Sequence, residues 1–311
     1  MTFETKLTVF SVITAVVVSV CFVKNSTAWD WCGVEANCND SQWKLTLKNS
    51  MCIYKNLPEN EYYTNIREDT NDEFRKKQVI WHNSYRDKMA EGKIPGWPPA
   101  ANMRQVTWAK ELEEVALRFS FQTRRGHDQC RRTEKYEYVG QNCAMAWGGP
   151  IEEYREINHS FISWVKEYDA VNRETTPKKL VEKFVSSVKG MGVWGHLTGI
   201  VWGNLYKIGC ATTIFDPKKP PVKGFEVHGR HQACNMYPHP NMFGEPIYTV
   251  GEACTKCPSG TQCNKKSTYP FLCALPGDPA DEVPEFIFVG DPVGKGDRTL
   301  TVNLYFASLL F

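Results

Sequence analysis

Three residues of this sequence stand where side-chain chemistry is available: His127 in "RGHDQC", Glu167 in "SWVKEYD" and His196 in "GHLTGIVW". Neutral imidazoles near a carboxylate can hold a divalent cation such as zinc with coordination positions left open, or serve as general acid and base. Spacing alone does not unite the three, since each such residue is more often a hydrogen-bonded framework group. His228, His231 and His239 read as loop or edge histidines. The run "GMGVWG", residues 190–195, satisfies G-x-G-x-x-G. A dinucleotide fingerprint needs a buried strand before it and a helix after it, whereas a polar helical pattern precedes this run and a strand is expected to follow. Its glycines are therefore read as turn formers. No G-x-S-x-G elbow, H-E-x-x-H pair or Walker loop occurs in the sequence, so those hydrolase and nucleotide signatures are excluded.

The elements that must position these residues follow from periodicity. "TNDE" at 70–73 has the form of a capping box, and Phe74, Trp81, Tyr85 and Met89 recur near helical spacing until Gly92. Thr107 is expected to cap a second helix carrying Trp108, Leu112, Val115, Ala116 and Phe119. A third opens at Pro150, with Ile157, Phe161, Trp164 and Tyr168 on one face and Glu167 about a quarter turn off it. "KKLVEKFVSSVKG" reads as a fourth helix ended by Gly190. Between and after these lie strand-like runs: "EYVGQNCAMAW", "GIVW", "KIGCATTIF" and "KGFEVHGRHQACNMY". Helices on both sides of a small, mostly antiparallel sheet make an α+β fold, a three-layer α-β-α sandwich expected over residues 65–248.

Composition bounds what such a domain can do. The chain has 311 residues, 42% hydrophobic and 13% aromatic, enough for one large core or two smaller ones. Its 37 basic and 35 acidic residues give a net charge of +2, so no long-range field points to nucleic acid or an anionic membrane. Leu7 to Val23 is almost unbroken apolar sequence, and Ser26 and Ala28 supply small residues before a cut, so residues 1–28 read as a removed signal peptide rather than a membrane span. Removal leaves 35 basic and 34 acidic residues and takes Cys21 away, leaving eleven of twelve cysteines. In an oxidising compartment the cluster "CTKCPSGTQC" with Cys273 is read as disulfide-forming rather than as a zinc knuckle, and the odd count leaves one thiol over. Sequons at Asn39 and Asn158 are expected surface glycosylation sites. Residues 29–64 read as a cysteine-rich arm, 249–275 as a cysteine-rich hinge, and 276–311 as a Pro, Gly and acid-rich tail.

Several motifs together resemble one family. "GHLTGIVW...IGC" resembles the G-H-F-T-Q-x-V-W...G-C signature of the superfamily of cysteine-rich secretory proteins, antigen 5 and pathogenesis-related proteins, and "ACNMYPHPNMFGEPIY" is similar to its second signature. "HNSYR", "AANMRQVTWAKELEEVA", "GHDQC", "VGQN" and "SWVKEYD" fall in the family's order. The N-terminal "WCGVEANC...NSMCIY" looks most like arthropod antigen 5 proteins of venom and saliva. The resemblance implies an α-β-α sandwich whose cleft is lined by His127, Gln141, Glu167 and His196, with His127 and His196 as candidate metal ligands. Gln141 stands where the family motif has an acid, and an amide is a weaker ligand and no base. The signature also departs at Leu197 and Gly199.

The resemblance further implies disulfides Cys32 to Cys52, Cys38 to Cys130, Cys210 to Cys234, Cys254 to Cys263 and Cys257 to Cys273, leaving Cys143 as the odd thiol, read as buried and inert. It implies a secreted, extracellular binding protein for a lipid, a sterol or a protein target, more a binder than an enzyme. No cofactor is required, and zinc or another divalent cation is the candidate occupant of the cleft. A cation-dependent endopeptidase and an ion-channel modulator are the alternatives. The modulator ranks last because the chain has only four hinge cysteines.

Overall fold

The computed structural model describes residues 29–40, 44–56, 60–148, 159–186, 194–219 and 227–278. The described residues from Trp31 onward belong to one compact unit, separate from the segment before it. That unit carries the central sheet and the helices packed on it. Residues 1–28, read above as a signal peptide, the expected helix start at Pro150, Asn158, the glycines of "GMG" and nearly all of the tail lie outside the described residues.

In chain order, strands β1 (Cys38–Asp40) and β2 (Leu45–Leu47) form a hairpin, followed by helix α1 (Ser50–Ile53). Then come β3 (Tyr63–Glu68), α2 (Asp72–Glu91), β4 (Thr107–Trp108), α3 (Lys110–Ser120) and β5 (Gly140–Gly148). Helices α4 (His159–Val165), α5 (Tyr168–Glu174), α6 (Pro177–Glu182) and α7 (Gly195–Ile200) precede β6 (Lys207–Pro217) and β7 (His228–Tyr237). The small pair β8 (Gln262–Cys263) and β9 (Cys273–Ala274) ends the described chain.

The central sheet runs β3-β6-β7-β5, antiparallel throughout, with β4 added parallel to β6. Strand alternation sorts its side chains into two layers. Ala211 and Ala233 meet Ala116 and Phe119 of α3 on one face, while Ile208, Cys210, Cys234 and Met236 join α2, α4 and α7 in the large core on the other. Gly209 lets α3 approach closely, because a Cβ there would lie 2.3 Å from the backbone nitrogen of Glu113. This is the expected three-layer sandwich, with a cysteine-rich C-terminal region carrying two disulfides.

Several local expectations are corrected. Asn71, not Thr70, caps α2 by accepting the N–H of Phe74 at 2.8 Å, while Thr70 bonds the backbone of Thr212 instead. Thr107 does not cap a helix: its strand pairs with β6, and α3 starts at Lys110 behind Ala109, which provides no side-chain cap. The third helix is broken after Val165, where the Glu167 N–H reaches back only three residues to Trp164. That tighter turn alters the angular advance and re-aims Glu167. The fourth helix stops at Glu182, because Lys183 is already extended. "GIVW" is not a strand; its first two residues end α7, so His196 sits on a helix.

Candidate functional site

His127 lies in the loop after α3, exposed to solvent, with Nδ1 3.0 Å from Gln141 Oε1. Gln141 Nε2 donates to Asn235 Oδ1 at 3.0 Å, and Asn235 Nδ2 donates to the carbonyl of Leu112 at 3.0 Å. The carbonyl can only accept, so this chain fixes both amides and makes Gln141 Oε1 the acceptor facing the ring. His127 therefore carries its proton on Nδ1 and keeps a lone pair on Nε2. Partial desolvation lowers the pKa of His127, with Arg131 and His196 adding to that and the Gln141 hydrogen bond opposing it. The loop is held by the Cys38–Cys130 disulfide and by Asp128, which accepts from Ser50 Oγ at 2.5 Å and from Arg131 Nε at 2.6 Å.

His196 is the second residue of α7, and its Nδ1 donates to Glu167 Oε1 at 2.6 Å. The other oxygen, Oε2, accepts the N–H of Leu197 at 2.9 Å. Trp194, at the N-cap position, gives no side-chain cap. Glu167 supplies the missing acceptor from another element and places a carboxylate at the positive end of the helix. Trp164 stacks on the imidazole at 5.7 Å with 19° between planes, and Asn142 Nδ2 donates to the His196 carbonyl at 3.0 Å. At the far end, the buried Arg86 guanidinium donates to the carbonyls of Ile200, Trp202, Gly203, Leu205 and Arg104. Its charge is met by carbonyl dipoles rather than by a carboxylate, and burial brings its pKa down to about 9.

The edge strand β5 joins the two halves. Gln141 reaches Asn235 on the α3 face, while its neighbour Asn142 reaches α7 on the opposite face. The charge of His196 is a minor contributor to the lowered pKa of His127. With Nδ1 engaged in each ring, Nε2 is the atom that a neutral ring would offer as a lone pair. Glu167 and Gln141 spend their oxygens holding these rings, which is the outer-shell role that orients metal-binding histidines. Among the described residues, the group of three or more potential ligand atoms within 4.8 Å of one another is Cys257, Cys263 and Cys273. Those sulfurs lie in disulfides, so they cannot bind as thiolates.

The remaining expected residues fall elsewhere. The structure bonds Cys32 to Cys52, Cys38 to Cys130, Cys210 to Cys234, Cys254 to Cys263 and Cys257 to Cys273, with Cys143 free. Cys143 is half-buried rather than fully buried as expected, and desolvation still pushes its thiol far above the ordinary pKa. Asn39 is exposed on β1. His231 is buried under Phe119 and bonds the Ser120 carbonyl, His228 pairs with Asp216 at 2.5 Å, and His239 bonds the adjacent Pro240 carbonyl. Sequence reasoning missed Asn142, Asn235, Trp164 and Arg86. Each lies within a motif already singled out, and Asn142 directly follows Gln141.

A profile described as "Cysteine-rich secretory protein family" matches residues 80–218. The chain is similar to venom allergen 5 of Brachyponera chinensis, 36% identical over 176 residues, covering 54% of this chain and 79% of that protein. It is 34% identical over 185 residues to venom allergen 5 of Dolichovespula arenaria, covering 58% and 81%. Among solved structures, one described as NaASP2 with Zn2+ superposes with a TM-score of 0.50 at 23% identity, covering 70% of this chain and 99% of that one. That likeness concerns the fold.

Proposed function

The chain belongs to the cysteine-rich secretory protein family, as a venom allergen-like member, and from that premise we propose that it is a secreted, non-enzymatic binding protein. Its target is a lipid, a sterol or another protein outside the cell. Its cleft takes zinc or a similar divalent cation at low coordination from protein. The observation that carries the cation site is the pair of imidazoles, each with Nδ1 committed to a fixed acceptor and Nε2 left as the atom that a neutral ring would offer as a lone pair.

The same geometry speaks against hydrolysis. Both oxygens of Glu167 already accept hydrogen bonds, and neither imidazole bonds a Ser, Thr or Cys side chain among the described residues. A carboxylate committed to its neighbours, and an imidazole with no nucleophile beside it, leave an acyl-transfer route unsupplied. Calorimetric zinc titration tests the reading. Wild type should bind, and the His127→Ala, His196→Ala double variant should not. Equal binding by both would make the histidines structural. Peptide or ester hydrolysis by pure protein, abolished in the double variant, would overturn the non-enzymatic assignment.

A further inference from the structure

The turn that follows β7 exposes large apolar side chains next to the His196 helix. Phe243 is 72% exposed, Met242 51% and Val185 41%. The ring of Phe243 rests at 5.6 Å on the buried Phe184, the residue before Val185, so the exposed groups sit on two adjoining backbone segments. Isolated surface hydrophobics need no explanation, but three held outward on adjoining segments do.

The backbone prevents these tips from folding inward. Gly244 N–H donates to the Phe184 carbonyl at 3.0 Å, Phe184 N–H to the Glu245 carbonyl at 2.8 Å, and Glu245 N–H to the Met242 carbonyl at 3.1 Å. Asn241 enters the turn at a φ of 61°, and its side chain grips Gly195 O at 2.7 Å and Thr198 Oγ1 at 2.7 Å. The turn is thus fastened on one side to the strand-like segment after α6 and on the other to α7. Lys183 borders it, its Cε 3.9 Å from where a Cβ on Gly244 would lie, and Lys178 and Lys179 stand on α6 just before; all three are exposed and without an ion pair among the described residues. Glu182 and Glu245 are also exposed nearby, which leaves one positive charge in excess.

We propose that the Met242–Phe243 turn with Val185 is a membrane-contact edge that seats on an anionic lipid surface, with the lysines at headgroup level. Protruding apolar tips on a tight turn suit a deformable interface better than a rigid pocket, and lysine stems can lie along the apolar boundary with their ammonium groups in water. Excess positive charge at the rim matches anionic headgroups. This rests on the lipid-directed part of the proposed function and deepens it without involving the cleft.

The test is co-sedimentation with vesicles of phosphatidylcholine alone or with about a quarter phosphatidylserine, using protein recovered from the medium of cells expressing the whole chain. Wild type should bind the mixed vesicles, and Met242→Ser with Phe243→Ser should weaken binding about tenfold. Lys178→Gln, Lys179→Gln and Lys183→Gln together should remove the preference for phosphatidylserine and its salt sensitivity. Unchanged binding by the serine variant, or no binding by wild type, overturns the proposal. Zinc titration of each variant reads the cleft separately, so failure of one reading is distinguishable from failure of the other.

Discussion

Glu167 holds His196 through two points at once, its Oε1 on the ring nitrogen at 2.6 Å and its Oε2 on the next residue's amide at 2.9 Å. Imidazole orientation and helix capping therefore depend on one carboxylate. Glu167→Gln retains an acceptor but loses the charge, and Glu167→Ala loses both contacts. The alanine variant should lose about 1–3 kcal/mol of stability and about 10–100-fold in zinc affinity, with glutamine intermediate. Denaturant unfolding beside calorimetry checks this, and a full-affinity alanine variant would contradict it.

Gln141→Glu should raise the pKa of His127. The present amide cannot offset the desolvation that lowers it, whereas a carboxylate at the same 3.0 Å contact would favour the imidazolium by about one unit or more. NMR titration of the His127 ring protons reads this directly. A midpoint that does not move would mean the side chains are not in contact.

Stability should fall as the solution is acidified below pH 6.5. Burial lowers the pKa of His82 and His231 to about 4, while the unfolded imidazole titrates near 6.5. The native state therefore binds fewer protons over this window, and the contribution present above pH 6.5 is lost toward pH 4. Asp87 acts the other way, since burial raises it to about 7 and ionising it costs native stability as pH rises. Two histidines against one aspartate leave a net slope of roughly one proton, to which the lowered imidazoles of His127 and His239 add in the same direction, and urea unfolding at several pH values would measure it. A profile with the opposite slope would refute the assignment.

Replacing Cys38 and Cys130 by alanine opens a link between residues 92 apart, and chain entropy assigns it about 4–5 kcal/mol. His127 lies three residues before Cys130, so zinc affinity should fall as well. A loss of stability with unchanged affinity would show that Asp128 and Arg131 alone hold the loop.

Cys143 should resist thiol reagents in the native protein, because burial disfavours the thiolate. It should react at once on unfolding. Rapid labelling of folded protein would place its sulfur in solvent.

The layers of the sandwich were legible because alternation and helical stripes carry strong signals: Phe74, Trp81, Tyr85 and Met89 all enter the core. His196's own element was not. "GHLTGI" lacks charge, contains two glycines and leads into "GIVW", which reads as a strand, and it becomes helical because Glu167 completes its first turn and Arg86 donates to carbonyls at and beyond its end. Such caps come from residues distant in sequence, so no local propensity announces them. The same holds for Glu167, whose aim depends on a tightened turn that periodicity cannot see. Thr107 shows the converse, since a good capping residue was taken instead by a strand partner, Lys207.

Because Gln141 and Asn142 are consecutive, the cleft depends on the count of residues in β5 as much as on their kinds. Sliding that strand by one position would turn each amide to the wrong side, detaching the His127 ring and the His196 carbonyl together. Single-residue insertions or deletions between Gly140 and Trp147 should therefore be far less tolerated than most point substitutions there.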